Sequence, residues 1–466
     1  MTEKRKLAMP DTLIIVASVV LLVAILSWII PSGTYDYQEM NINGRIRNVA
    51  IDGTYHTIDK SEVTTTGFLG FFSVLYRGCV EAADVIFMIL CCCGTFGVVV
   101  KTGAFHAGIG TILKKLKGKE ILLVPIIMLI FGLGGSVFGM ASEFYGFYPL
   151  IVGLGVALGY DAMFGFAIIA VGEFVGFMGA TLNPYSVGIA QTISGVELYS
   201  GTGYRTICFV IFMVISIIYV MMYGRKIKKN PGASVVFGEK NIHAFDRDEL
   251  NEYSFTLKDG LVLLDVLVVL VVLMFGLIKW GWDFPQLCGL FLLMSMIAAA
   301  ICKWSPNKWC SEFIDSAKTA MWGCILTGIA KAITVVMQDA QIMDTVIYGL
   351  SNVLKNAPHA VSAQVMLVVQ TLINFFIPSA TGQASATMPI MAQLADIIGV
   401  SRQTAVLAFQ FGDGLSNIFW PTADIVIICG LGGISLQKWY KWFTPLFLIL
   451  FATQAILLGI ATGIGF

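Results

Sequence analysis

The chain has 466 residues, 57% of them hydrophobic and 12% charged, and a mean hydropathy of +0.83, which excludes a soluble globule and indicates an integral membrane protein. Its 29 Lys and Arg balance its 29 Asp and Glu, so net charge points to no nucleic-acid partner and only the placement of charge is informative. Apolar runs of spanning-helix length, about 17 to 22 residues, recur along the whole chain, in place of the ten-residue alternation of a β-barrel.

In chain order, the basic segment Lys4-Arg5-Lys6 precedes an apolar run from Thr12 to Ile30 that lacks a cleavage site. We read it as a retained first helix with a cytoplasmic N-terminus in the cell membrane. Residues 32–66 are polar and read as an external loop; Gly67 to Val80 is an interfacial lead-in to a span from Asp84 to Val100. Phe105 to Leu116 is amphipathic, and the flanking lysines 101, 114, 115, 117 and 119 place it on the cytoplasmic side. From Glu120 to Tyr160 the chain is apolar around the turn Gly132 to Glu143, which reads as a re-entrant hairpin with arms close to spanning length. Residues 162–195 are interrupted at Gly179-Ala180-Thr181-Leu182-Asn183-Pro184, a discontinuous helix with orphan backbone groups at the break. A span from Thr206 to Tyr223 leads to a polar linker, 224–257.

The second half repeats this order. Spans are expected at 259–278, 285–302 and 319–337, interfacial or amphipathic stretches at 306–318 and 341–355, a hairpin at 360–398, a broken helix at 402–434 and a last span at 442–463. Sliding the first half by 240 positions lays Pro149 on Pro389, Gly159 on Gly399, Gly172 on Gly412, Glu143 on Gln383 and Glu173 on Asp413. An odd number of spans separates the hairpins, so the copies are expected upside down relative to one another, as in secondary transporters with a midplane site. The ten cysteines show no paired spacing in polar segments and read as packing residues, with no metal site. No phosphate loop and no protease-type dyad appears, so an enzyme is not expected.

Glu173 and Asp413 lie in apolar, glycine-flanked surroundings, where a lone carboxylate needs a partner, a proton or a cation. Ser136, Ser142, Ser379, Thr381, Ser385 and Thr387, with Gln383, Asn183, Asn417 and Thr422, put hydroxyls and amides at the tips and breaks. Together with Glu143 these are the candidate ligands for a small-molecule substrate or a coupling ion, Na+ or H+. Basic residues are absent from the hairpins and breaks apart from Arg402 at an outer edge, which favours a solute with an amino or guanidino group. Lys331, the one embedded cation, reads as a scaffold or interface residue.

Met9-Pro10-Asp11 with Trp28-Ile29-Ile30-Pro31-Ser32-Gly33, the two hairpin tips, and Gly412-Asp413-Gly414-Leu415-Ser416-Asn417 with Trp420-Pro421-Thr422 resemble the YfcC-like branch of the anaerobic four-carbon dicarboxylate carrier family, within the ion transporter superfamily. The resemblance implies an all-α polytopic fold with inverted repeats, a scaffold domain (1–119 and 259–358, with arm helices near 104–117 and 340–356), a transport domain (120–195 and 359–435), connecting and terminal segments at 196–258 and 436–466, a homodimer in the lipid bilayer, and elevator-type alternating access. It also implies basic amino acid antiport for this branch, with a sodium- or proton-coupled carrier of C4-dicarboxylates or other organic anions as the alternative. Where the superfamily's tips carry Ser-Asn-Thr-type motifs, this chain has Gly139-Met140-Ala141-Ser142-Glu143 and Ser379-Ala380-Thr381-Gly382-Gln383.

Overall fold

The computed structural model of the chain describes residues 11–42, 45–116, 120–239, 243, 255–355 and 361–466. The basic N-terminal segment, Lys117, Lys119, His359, most of the linker from 240 to 254, and the domain boundaries at 119 and 358 lie outside them.

Helix α1 (Thr12–Ile29) starts where the Asp11 carboxylate accepts from the Leu13 N–H at 2.8 Å, which satisfies one of the orphan donors of its first turn. Beyond it the expected external loop is ordered as four short strands: β1 (Ser32–Thr34), β2 (Tyr37–Ile42), β3 (Arg45–Ala50) and β4 (His56–Ile58). They form two antiparallel pairs, β1 with β4 and β2 with β3. This corrects a purely all-α expectation: strands of three to six residues fall below any spanning-length signal, yet their Tyr, Ile, Val and Thr residues suit a pleated surface.

Helix α2 (Phe68–Glu81) follows, then α3 (Ala83–Lys101) and α4 (Ala104–Leu116). The second half opens with α10 (Leu257–Lys279) after α9 (Thr202–Lys229), followed by α11 (Phe284–Ile301), α12 (Pro306–Lys318), α13 (Met321–Asp339) and α14 (Met343–Lys355). The lead-in α2 packs backbone to backbone along α13; a Cβ on Gly78 would lie 2.4 Å from the Gly328 carbonyl oxygen. Among the described residues seven helices are long and apolar enough to cross a membrane: α1, α3, α9, α10, α11, α13 and the last helix, α19 (Leu436–Gly463).

The first hairpin is α5 (Leu123–Leu133), a π turn at Gly134–Phe138, a reversal at Gly139 and α6 (Phe147–Ala157). The first arm is helical from Leu123 through Phe138, near the expected length, and only the return arm α6, at 11 residues, is shorter than the sequence suggested. At 1.5 Å per residue α6 is about 17 Å, roughly half of a 30 Å hydrocarbon core. A broken helix follows, α7 (Ala162–Met178) and α8 (Val187–Ile193). The second hairpin is α15 (Ser362–Phe376) and α16 (Ala380–Ile397), and the second broken helix is α17 (Arg402–Ser416) and α18 (Asp424–Gly432).

The local structure follows the 240-residue register. Asp161 and Ser401 cap α7 and α17 by accepting from Phe164 N at 2.7 Å and Thr404 N at 3.0 Å, and the left-handed turns before them fall on Gly159 and Gly399. All of α7, and α17 from Thr404 onward, is buried. These two helices are the centre of the molecule, and they carry Glu173 and Asp413.

Candidate functional site

Each hairpin turn is held in the break of its own broken helix. In the first, the Thr181 N–H donates to the Ser136 carbonyl at 2.9 Å and the Ser136 hydroxyl donates to the Gly179 carbonyl at 3.1 Å. Asn183 Oδ1 accepts from the backbone amides of Tyr185 and Ser186 at the break, at 2.9 and 3.2 Å. Gly139 makes this docking possible: its φ is +69°, and a Cβ there would lie 2.4 Å from Asn183 Oδ1. In the second, the Trp420 indole donates to the Thr371 carbonyl at 2.6 Å and the Thr422 hydroxyl to the Phe375 carbonyl at 2.7 Å.

The two units also reach across to each other. The Tyr145 hydroxyl, just past the first tip, donates to Asp424 at 2.8 Å in the second break. The Thr381 hydroxyl, at the second tip, donates to the Tyr185 carbonyl at 2.9 Å in the first break. Between these crossed contacts lies a cavity of about 520 Å³. Ser142 and Glu143 from one tip, Ser379 and Thr381 from the other, and Thr422 and Asp424 from the second break line it. Its far wall is α13, with Thr327, Lys331 and Thr334, and Glu81 and Asp283 also face it.

Five of the sequence-predicted residues therefore meet at the cavity: Ser142, Glu143, Ser379, Thr381 and Thr422. Ser136 and Asn183 are 0% exposed and brace the first turn. Ser385 bonds back along its own helix, to the Thr381 carbonyl at 2.9 Å. Gln383, Thr387, Asp413 and Asn417 belong to a buried polar network instead of the cavity wall. In it Asn374 Nδ2 lies 2.9 Å from Asp413 Oδ1, and 3.2 Å from both Gln383 Oε1 and Asn417 Oδ1, while Gln370 links Gln383 to Thr387.

Glu173 and Asp413 are both 0% exposed and do not line the cavity. Glu173 Oε2 accepts from the Tyr148 hydroxyl at 2.9 Å. Glu173 Oε1, Asp413 Oδ2 and Asn374 Oδ1 have no partner among the described residues. Such oxygens can accept a proton-bearing or cationic ligand, and leaving them bare is costly.

Sequence reasoning passed over Gln370, Asn374, Tyr145 and Tyr148, and set Lys331 aside as scaffold. Gln370 and Asn374 were visible in principle, as two amides one helical turn apart in an apolar arm. Tyr145 had no such signal, since its partner Asp424 is 279 positions away.

The sequence profile of the family described as "C4-dicarboxylate anaerobic carrier" matches residues 9–463. An Escherichia coli (strain K12) protein named "Putative basic amino acid antiporter YfcC" is 32% identical, covering 97% of this chain and 96% of its own length. An uncharacterized protein of Haemophilus influenzae is 27% identical over 98% and 97% of the two chains. Two solved structures are similar: the YdaH transporter of Alcanivorax borkumensis at 14% identity and a TM-score of 0.44, covering 98% of this chain and 99% of that one, and MtrF of Neisseria gonorrhoeae at 16% and 0.44, covering 98% and 96%. By the profile match and the 32% relative, this chain belongs to the C4-dicarboxylate anaerobic carrier family and is a membrane transporter, not an enzyme.

Proposed function

We propose that the chain is a secondary active transporter of a small amino-acid-like solute, a basic amino acid exchanger in the most specific form of the reading. The observation that carries it is the charge of the cavity wall: Glu81, Glu143, Asp283 and Asp424 stand against Lys331 alone. An amino or guanidino group suits the anchored carboxylates, Glu143 and Asp424. The solute's own carboxylate suits the first turn of α16, where backbone N–H groups lie beside Ser379 and Thr381. The name of the Escherichia coli relative agrees with this chemistry.

In the same proposal the hairpins and broken helices move as one body against the remaining helices, with the two repeats oppositely oriented in the cytoplasmic membrane, the N-terminus inside and the chain a homodimer. The crossed tip contacts and the shared register of the two broken helices support that reading. A coupling ion, H+ or Na+, would sit at the unpartnered oxygens of Asp413 and Asn374 or of Glu173, away from the solute.

The second reading is a C4-dicarboxylate or other organic anion carrier, favoured by the description of the matching family. Counterflow in proteoliposomes separates the two. Under the first reading labelled arginine exchanges saturably, arginine-type solutes compete and succinate does not. Competition by succinate with none by arginine would reverse the assignment. A thermal-shift panel of the same compounds with and without sodium tests the coupling ion, because a bound ligand raises the melting temperature by mass action.

A further inference from the structure

Lys331 stands near the middle of α13, an apolar helix long enough to span, and lines the cavity. It is half-buried, and among the described residues it makes no hydrogen bond and no ion pair. An ammonium in that setting is tolerated because it faces a wet space, and its four-carbon stem lets the charge travel along the wall. The carboxylates that share the space fall into two groups. Glu143 and Asp424 are the less exposed pair and are anchored, Glu143 Oε2 by the Ala141 N–H at 3.0 Å and Asp424 by Tyr145 at 2.8 Å. Glu81 and Asp283, at the end of α2 and just before α11, are exposed.

We propose that Lys331 is the resident counter-cation of the cavity and fixes the charge of the solute it accepts. With no solute present its ammonium offsets Glu143 and Asp424. A cationic solute binds by taking over those two carboxylates and displacing the ammonium toward Glu81 and Asp283. Every binding event is then a competition between two cations, which weakens affinity and hastens release. Lys331 is a specificity-determining residue in this scheme, and the scheme rests on the amino-acid reading given above.

The test uses the full chain, purified and reconstituted, with arginine and succinate as probes, in the wild type and in Lys331→Gln and Lys331→Arg. Arginine is expected to stabilise the wild type. Lys331→Gln is expected to bind arginine about tenfold more tightly, the scale of one unit charge acting across a partly wet gap, with a lower apparent KM and a lower maximal exchange rate. Lys331→Arg keeps the charge and should keep the wild-type values. Lys331→Met, which preserves the stem, carries the same expectation as the glutamine variant if that one does not fold. If arginine stabilises the wild type while removal of the charge leaves its affinity unchanged or weakens it, the role of Lys331 is overturned and the amino-acid reading stands. If succinate but not arginine stabilises the wild type, the amino-acid reading fails and the counter-cation scheme fails with it.

Discussion

Asp413 and Glu173 each keep one carboxylate oxygen bonded and the other without a partner among the described residues, inside the buried stretches of α17 and α7. A side chain that costs this much to bury is expected to work for its place. We predict that Asp413→Asn inserts and folds normally, because the amide keeps the shape of the group, while exchange in proteoliposomes falls to background. Near wild-type counterflow would remove Asp413 from the mechanism. Both acids were legible in the sequence, since a carboxylate amid apolar residues and glycines announces itself. Their partners were less so. Asn374 is one amide among the many polar residues of a hairpin, and only the fold shows three oxygens converging on it.

The first hairpin depends on backbones that approach without side chains between them. A Cβ on Gly176 of α7 would lie 2.0 Å from the Gly132 carbonyl oxygen of α5, and backbone cannot yield as a flexible side chain can. Gly139 meets both a left-handed φ of +69° and the Asn183 side chain. Gly139→Ala should therefore cost about 1–2 kcal/mol from the left-handed conformation alone, with more from the lost Asn183 cap. Gly176→Val should be worse, giving little monodisperse protein in detergent; size-exclusion profiles and melting temperatures check both. The turn residues were visible beforehand as a glycine cluster in an apolar run. The inequality of the arms was not, because the helical path of the first continues through the π turn at Gly134–Phe138 while the return helix starts only at Phe147.

Across the whole molecule, the stranded segment 32–58 is clasped to the second half through Asp344 of α14. Its carboxylate accepts from the Tyr37 hydroxyl at 2.7 Å, the Tyr35 N–H at 3.0 Å and the Thr34 hydroxyl at 3.1 Å. Asp344→Ala leaves these donors without their acceptor and is expected to cost about 1–3 kcal/mol locally. Residues 32–58 should then be cleaved faster in limited proteolysis while the rest of the chain stays intact. Burial, reinforced by the Asp344 carboxylate, pushes the Tyr37 phenol well above its ordinary range. The protonated phenol is thus the form the fold favours, so its contribution holds below the ordinary phenol value near 10 and is lost only as pH rises beyond it. Protease resistance of this segment should accordingly be flat from neutral pH to about 9 and fall above about 10. The sequence by itself determined that the chain lies in a membrane, where its long helices run, where two of them break, and that the halves share one register, because spanning length and helix stops are set by residues close together in the chain. Only the tertiary structure decided which polar residues share a space: that Glu173 and Asp413 sit behind the cavity, that Lys331 faces it, and that Tyr145 holds Asp424 from 279 positions away. Those pairings are made by helices packing against helices, and no local pattern in the chain records which surfaces will meet.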